Sequence, residues 1–62
     1  MKIFKITEHG TNKVLSINSD NVDYFEPLTY NSGESVTIIY FKSGKEIHAK
    51  ESQSDIEDIL NG

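Results

Sequence analysis

Two histidines are the side chains of this sequence best suited to acid–base or metal chemistry. His9 and His48 are the only imidazoles in the chain, and an imidazole can carry a proton near neutral pH or bind a metal ion. Their spacing does not match H-E-x-x-H, and the chain has no cysteine that could complete a metal site. The sequence places His9 in a turn and His48 on the outward side of a strand. We therefore predict that both side chains are exposed and have no catalytic or metal-binding role.

Three carboxylates, Asp20, Asp23 and Glu26, lie close enough in the sequence to suggest a cation site. A calcium loop needs oxygen ligands at set positions around a glycine turn, and this stretch lacks that pattern. A turn cap followed by outward strand positions explains these residues better. The serine–glycine pairs at 32–33 and 43–44 do not match G-x-S-x-G, and no glycine-rich phosphate loop is present. The sequence therefore predicts a protein that is not an enzyme and has no cofactor or metal.

Aromatic side chains are the stronger candidates for function. The chain has three tyrosines and three phenylalanines among 62 residues. Some of them must pack the core, but a tyrosine keeps a polar tip and tolerates exposure, which is why tyrosines are common at protein interfaces. We expect at least one aromatic residue to lie in a binding or self-association surface. The candidate contacts are Tyr24, Tyr40 and Phe41.

The C-terminal segment is acidic, with carboxylates at Glu51, Asp55, Glu57 and Asp58. Such a group could dock a partner or partly mimic DNA. Negative side chains also stabilise the first turns of a helix, because they lie near the positive end of its dipole. We favour the second explanation, a helix with a solvated acidic face.

The charge balance argues against nucleic acid as a partner. Ten acidic residues outweigh six basic ones, which gives a formal net charge of −4. All six basic residues are lysine, so the arginine side chains that grip guanine and phosphate through two hydrogen bonds are missing. Domains that bind DNA or RNA are usually basic. We therefore expect a protein partner or a homodimer, and no small-molecule substrate is implied.

Size and composition limit the fold to one small domain. A chain of 62 residues has a marginal core, and without cysteine neither a disulfide nor a thiolate-bound metal can reinforce it. The absence of cysteine suits the cytoplasm, and the N-terminus does not resemble a signal peptide. No apolar run approaches the roughly 18 residues of a membrane span. We expect a single cytoplasmic domain over residues 1–62 with no membrane contact.

The segment Val36–Phe41, V-T-I-I-Y-F, is the longest nearly continuous apolar run. Its β-branched and aromatic composition, its length and the Ser-Gly-Lys that follows predict a strand. In a strand, Val36, Ile38 and Tyr40 point to one face, and the residues between them point to the other. Because both faces are apolar, both need to be covered. We expect a central strand whose second face is covered by self-association or by a partner.

Alternating apolar residues and turn signals predict the remaining elements. The expected fold class is α+β and mostly β, with an antiparallel β-meander of four to five short strands and one short C-terminal helix. The four other predicted strands are Met1–Glu8, Val14–Ile17, Val22–Leu28 and Glu46–Lys50.

Local signals add detail to the third strand and the loop after it. Val22 and Tyr24 are expected to share one face of that strand, since they lie two residues apart. Pro27 lacks an amide hydrogen and is expected at a strand end or a sheet edge. Residues 29–34 are expected to form the longest loop and the most mobile segment.

The helix is expected to begin at Ser52 or Ser54. With Glu57 three residues on, Ser54 would form a capping box. Ile56, Ile59 and Leu60 would lie on one apolar face of this helix, because the second and third residues follow the first by three and four positions.

The order of these short motifs resembles the small FlbD-type proteins of bacteria, which are found near flagellar genes. The matching pieces are Asn18-Ser19-Asp20, Val22 through Glu26, Gly44-Lys45 and Lys50-Glu51-Ser52. The resemblance covers nearly the whole chain and implies the same succession of short strands with a final helix. It carries over no catalytic residue. The loop at residues 29–34 is longer than in that family.

The order of strands and helix also resembles the LytTR DNA-binding domain. That family reads DNA with basic and polar loop residues, whereas this chain has no arginine and a negative charge. The lysine- and asparagine-rich composition also suits an AT-rich genome, including those of phages.

These observations leave three functions open. The first is a small non-catalytic protein-interaction or regulatory module, FlbD-like and self-associating, that binds through an apolar sheet face or a free strand edge. The second is a phage or mobile-element protein that binds a host protein through acidic side chains. The third is a weak LytTR-like nucleic-acid binder.

Overall fold

The computed structural model describes residues 2–62, which form five strands, one 3-10 turn and one α-helix. In chain order these are β1 (Ile3–Thr7), β2 (Val14–Asn18), a 3-10 turn (Ser19–Asn21), β3 (Val22–Thr29), β4 (Ser35–Phe41), β5 (Glu46–Ala49) and α1 (Gln53–Asn61).

Strands β1 and β2 form an antiparallel hairpin along their full length. Alternation places Phe4 and Ile6 on one side of β1, where both are buried, and leaves Ile3 on the other side, 55% exposed. In the turn, Asn12 adopts a positive φ of 61°, which asparagine tolerates better than most residues. The hairpin therefore contributes one apolar face to the core and one solvated face.

Strand β4 lies between β3 and β5 and pairs antiparallel with both. Just beyond β3, the Tyr30 amide donates to the Glu34 carbonyl over 2.8 Å. Because alternate residues of an antiparallel strand direct their amides to the same neighbour, the even-numbered residues of β3 direct their amides toward β4. Pro27, which has no amide hydrogen, is an odd-numbered residue, so its backbone nitrogen points away from β4 and no hydrogen bond of the sheet is lost. The prediction that Pro27 lies at a sheet edge is confirmed.

The hairpin and the three-stranded sheet are joined where β1 ends. An isolated bridge links the residue after β1 to Ala49. Beside it, the Lys50 amide donates to the Thr7 carbonyl and the His9 amide donates to the His48 carbonyl, each over 2.8 Å. The strands therefore follow one another in space as β2-β1-β5-β4-β3, with β2 and β3 at the two edges. This confirms the predicted α+β class, mostly β and antiparallel, with a C-terminal helix.

The core lies between the joined strands and α1. Ile39 of β4 and Ala49 of β5 are fully buried, and Ile56 of α1 is 1% exposed. Three residues of the hairpin complete the buried cluster: Phe4, Ile6 and Ile17. Half-buried apolar residues pack around it: Leu15, Val22, Phe25, Phe41, Ile47, Ile59 and Leu60. One face of β4 is thus covered by the hairpin and the helix together.

Ser52 begins the helix, because its hydroxyl accepts a hydrogen bond from the Asp55 amide over 3.1 Å. The alternative capping box of Ser54 and Glu57 is wrong, since Ser54 already lies inside the first turn. At the other end, the Lys2 ammonium donates to a carbonyl of the last turn over 2.8 Å. A cation at this position is favourable because the C-terminal end of the helix dipole is negative.

Glu51 holds the β5–α1 connection to both parts of the sheet. Its carboxylate accepts a hydrogen bond from the Thr7 amide over 2.8 Å. Its backbone carbonyl accepts one from the Thr37 hydroxyl over 2.8 Å. Thr37 is 1% exposed and is the one polar residue among the buried residues that the structure describes. A hydroxyl on the central strand thereby fixes the chain at the point where the helix starts.

A β-bulge near the start of β3 changes the side to which Val22 points. The pairing with β4 shifts between Val22 and Tyr24, so the two residues no longer follow the strand's two-residue period. Val22 packs against the core, whereas Tyr24 is 53% exposed. The prediction that they share a face is wrong for this reason.

Replacing Thr37 with valine should destabilise the fold by about 1–2 kcal/mol, because the Glu51 carbonyl loses its partner in a buried setting. Chemical denaturation monitored by circular dichroism measures this difference. Thr29→Val is the matched control, since Thr29 is exposed on β3, and its effect should stay within about 0.5 kcal/mol. Equal effects of the two substitutions would contradict the role given to the Thr37 hydroxyl.

Candidate interaction surface

The sheet face that points away from the core is called the outer face here. Register and alternation place eight residues on it: Tyr24, Glu26, Leu28, Val36, Ile38, Tyr40, Glu46 and His48. The expectation that Val36, Ile38 and Tyr40 share a face is confirmed. No helix or strand among residues 2–62 covers this face, and its two ends differ in how they meet solvent.

Tyr24 and Tyr40 form a stacked pair at the end of the outer face nearest the bulge. They lie opposite each other on β3 and β4, and their ring centroids are 4.4 Å apart with 21° between the planes. The Tyr40 hydroxyl donates to Oε1 of Glu26 over 2.7 Å. Tyr40 is half-buried beneath its neighbour, whereas Tyr24 is 53% exposed. Two rings and one carboxylate therefore form a fixed unit that presents an aromatic surface.

The surroundings of this tyrosine pair are negative. The hydrogen bond to Glu26 raises the pKa of Tyr40 to about 12, with burial and the negative charges of Glu26 and Glu46 acting in the same direction. Glu46 lies directly opposite Tyr40 on β5. Among the strand residues of the outer face there are two carboxylates and no lysine. This surface thus combines aromatic area with carboxylates that attract positive charge.

A second group of side chains closes the opposite end of the outer face, and we call it the Tyr30 cluster: Tyr30, His9, His48 and Glu34. The Tyr30 hydroxyl shares a hydrogen bond with Nδ1 of His48. The His9 ring stacks on the Tyr30 ring at a centroid distance of 4.9 Å. His9 Nε2 lies 2.8 Å from Oε1 of Glu34. The cluster ties the turn between β3 and β4 to the junction of the two sheets.

The two histidines are therefore not exposed as predicted. The His9 side chain is 27% exposed and the His48 side chain is 34% exposed, and both contact Tyr30. The turn position of His9 and the outward direction of His48 are confirmed, but the exposure prediction is wrong. The cause is the junction after β1, which brings residues almost forty positions apart in sequence side by side.

The Tyr30 ring also explains how the outer face of β4 is kept from water. Tyr30 follows β3 on one side of β4, and its hydroxyl bonds His48 on the other side. The ring therefore crosses the central strand, and Val36 and Ile38 on this face are only 3% and 7% exposed. The chain itself covers this half of the face, and the tyrosine pair remains as the open half.

The structure brings together two of the three candidate contact residues. Tyr24 and Tyr40 stack, but Phe41 lies on the opposite face of β4 and packs half-buried against the core. Sequence reasoning counted Tyr30 among the tyrosines that tolerate a surface, but it did not assign Glu26 a role in a surface of this kind. Alternation along β3 could have placed Glu26 beside Tyr24, whereas its bond to Tyr40 depends on strand register.

Metal-binding clusters and pockets are not found in the part of the chain that the structure describes. Residues 2–62 contain no group of three or more histidines and carboxylates placed to hold a metal ion, and they enclose no pocket. Over the same residues, α1 is too short and too polar to cross a membrane. Comparisons of the chain with protein-family models, curated proteins and solved structures found no match.

The raised pKa of Tyr40 predicts that this tyrosine ionises late, near pH 12. Because the folded state favours the neutral phenol, its stabilising effect is complete below the ordinary tyrosine pKa of about 10 and is lost as pH rises toward about 12. Ultraviolet titration of the phenolate band measures this directly. Glu26→Gln should move the late transition toward lower pH. An unchanged late transition would show that Glu26 does not hold Tyr40.

The Tyr30 cluster should contribute to stability through the Tyr30 hydroxyl. Tyr30→Phe keeps the ring over β4 but removes the hydrogen bond to His48, so we expect a loss of about 1 kcal/mol in the free energy of unfolding. Tyr24→Phe is the matched control, because Tyr24 is 53% exposed and it is the Tyr40 hydroxyl that bonds Glu26, so this change should alter stability little. A neutral Tyr30→Phe substitution would contradict this role of the cluster.

Proposed function

We propose that this protein is a small non-catalytic protein-interaction module that binds its partner through the tyrosine pair. The observation that carries the proposal is the exposed Tyr24 ring, stacked on Tyr40 and backed by the Glu26 carboxylate. Large exposed aromatic side chains are enriched in the energetic centres of protein interfaces. Their orientation is fixed before binding, so little conformational entropy is lost when a partner arrives.

The partner that fits this surface best is a basic protein segment. An arginine or lysine can stack on the exposed face of a tyrosine and form charge-assisted hydrogen bonds with a neighbouring carboxylate. Glu26 and Glu46 stand on either side of Tyr40 and supply such carboxylates. The formal net charge of −4 acts in the same direction by attracting positive partners over longer distances.

The other functions that the sequence leaves open are supported to different degrees. A host-binding protein of a phage or mobile element would bind through the same acidic aromatic surface, so this alternative differs in the origin of the protein and not in the way it binds. A nucleic-acid binder is disfavoured, because phosphates would be repelled by these carboxylates. We further propose that the protein acts in the cytoplasm. The FlbD-type resemblance implies that the protein is encoded near flagellar genes. We propose this as its biological setting, and the binding mode does not depend on it.

A random peptide library displayed on phage tests the proposed binding mode without a known partner. We expect selection on the immobilised protein to enrich peptides with arginine or lysine, and their binding to weaken as salt concentration rises. Chemical-shift mapping with a selected peptide should then place the largest changes at Tyr24, Tyr40 and Glu26.

Two substitutions of one residue decide the role of the aromatic ring. Tyr24→Ala should weaken the selected peptide by about tenfold or more, as expected for an aromatic hot spot. Tyr24→Phe keeps the ring and should bind nearly as well as the unaltered protein. If Tyr24→Ala binds with full affinity, or if the shift changes lie on another surface, the tyrosine pair is not the binding site.

A further inference from the structure

The free edge of β2 is a second surface, separate from the tyrosine pair. Strand β2 pairs with β1 alone. The bond from the Glu8 amide to the Lys13 carbonyl sets the ladder so that odd-numbered residues of β2 direct their amides to β1. The amides and carbonyls of Val14, Ser16 and Asn18 therefore point away from β1.

The two edges of the sheet are protected to different degrees. Natural proteins usually guard an edge strand with charge, proline or a bulge, because unpaired amides and carbonyls bind other strands. Edge strand β3 has Pro27 at an outward position and a bulge near its start. Edge strand β2, V-L-S-I-N, has no charge and no proline. Its side chain Val14 is also 65% exposed. The β2 edge is therefore open to pairing.

We propose that the β2 edge pairs antiparallel with the β2 edge of a second copy of this chain, so that one sheet continues through both molecules. With Ser16 opposite Ser16 across the two-fold axis, Val14 of each copy faces Asn18 of the other. In this register every outward amide meets an outward carbonyl. The half-buried Leu15 then lies beside Ile17 of the second copy on the core side, which extends the apolar core across the contact.

The charges next to β2 favour a second copy in the antiparallel direction. Lys13 precedes the strand and Asp20 follows it, and both are exposed. Antiparallel pairing brings Lys13 of each copy toward Asp20 of the other, which places opposite charges together at both ends. A parallel arrangement would instead bring like charges together, which is unfavourable. The strand and its flanks are thus self-complementary in charge as well as in hydrogen bonding.

The contact is small, so the dimer should be weak and reversible. A five-residue edge buries less than the roughly 800 Å² per partner that is usual in stable complexes. The dimer leaves the tyrosine pair uncovered, because that pair lies on β3 and β4. Dimerisation and partner binding therefore use different surfaces and can be tested separately.

Sedimentation equilibrium over a wide range of concentrations, combined with amide hydrogen exchange, tests the proposal. We expect a monomer–dimer equilibrium in which the Val14, Ser16 and Asn18 amides exchange more slowly as concentration rises. Ser16→Lys should abolish the dimer, because two ammonium groups would lie opposite each other. Ser32→Lys is the control, since it adds the same charge on the exposed turn between β3 and β4, and it should leave the dimer intact.

A second set of variants covers the possibility that Ser16→Lys disturbs the hairpin next to Lys5. Ser16→Glu faces Lys5 of its own chain, which supports the hairpin, and still places like charges across the two-fold axis. Lys13→Glu and Asp20→Lys should each weaken the dimer, and the two changes together should restore it.

Three results would overturn the proposal. One is a monomer at every concentration, and another is a dimer that persists in both Ser16 variants. The third is a dimer that Tyr24→Ala abolishes, since that would move the contact to the tyrosine pair. Loss of the dimer in Ser16→Lys with peptide binding retained would support the β2 contact independently of the proposed function.

Discussion

Strand β4 is apolar on both faces, and a chain of 62 residues has too few elements to cover both. The hairpin and α1 cover the core face, where Ile39 is fully buried. On the outer face there is only a single layer of side chains, in which the Tyr30 ring crosses the strand to reach His48 and Val36 is 3% exposed. One ring can cover only part of a strand, so the other part meets solvent through the tyrosine pair. The proposed binding surface is therefore a consequence of how a small fold covers its central strand.

Polar groups join the separate parts of this fold. Glu51 accepts hydrogen bonds from the Thr37 hydroxyl on β4 and from the Thr7 amide on β1, so one residue connects both sheets to the start of the helix. No buried side-chain polar atom among residues 2–62 lacks a hydrogen-bond partner. Since a small apolar core is marginal by itself, these bonds help to hold the hairpin, the central strand and the start of the helix together.

The sequence was sufficient for the elements and insufficient for the contacts between distant ones. Alternation and turn residues identified the strands and the helix, because those signals are local. The bulge that turns Val22 toward the core has no such signal, since one extra residue in a strand fits many sequences. The Tyr30 cluster depends on the junction of β1 with β5, which pairs residues far apart along the chain. Two serines could each begin the helix, and only packing decided between them.

The difference between the two ends of the outer face can be measured directly with a soluble paramagnetic agent that broadens the NMR signals of accessible side chains. At low protein concentration, we expect strong broadening of the Tyr24 ring signals, weaker broadening of Tyr40 and protection of Val36 and Ile38. That result would show that the chain covers one half of the outer face and leaves the tyrosine pair open. Protection of Tyr24 together with broadening of Val36 would contradict this arrangement and, with it, the proposed binding surface.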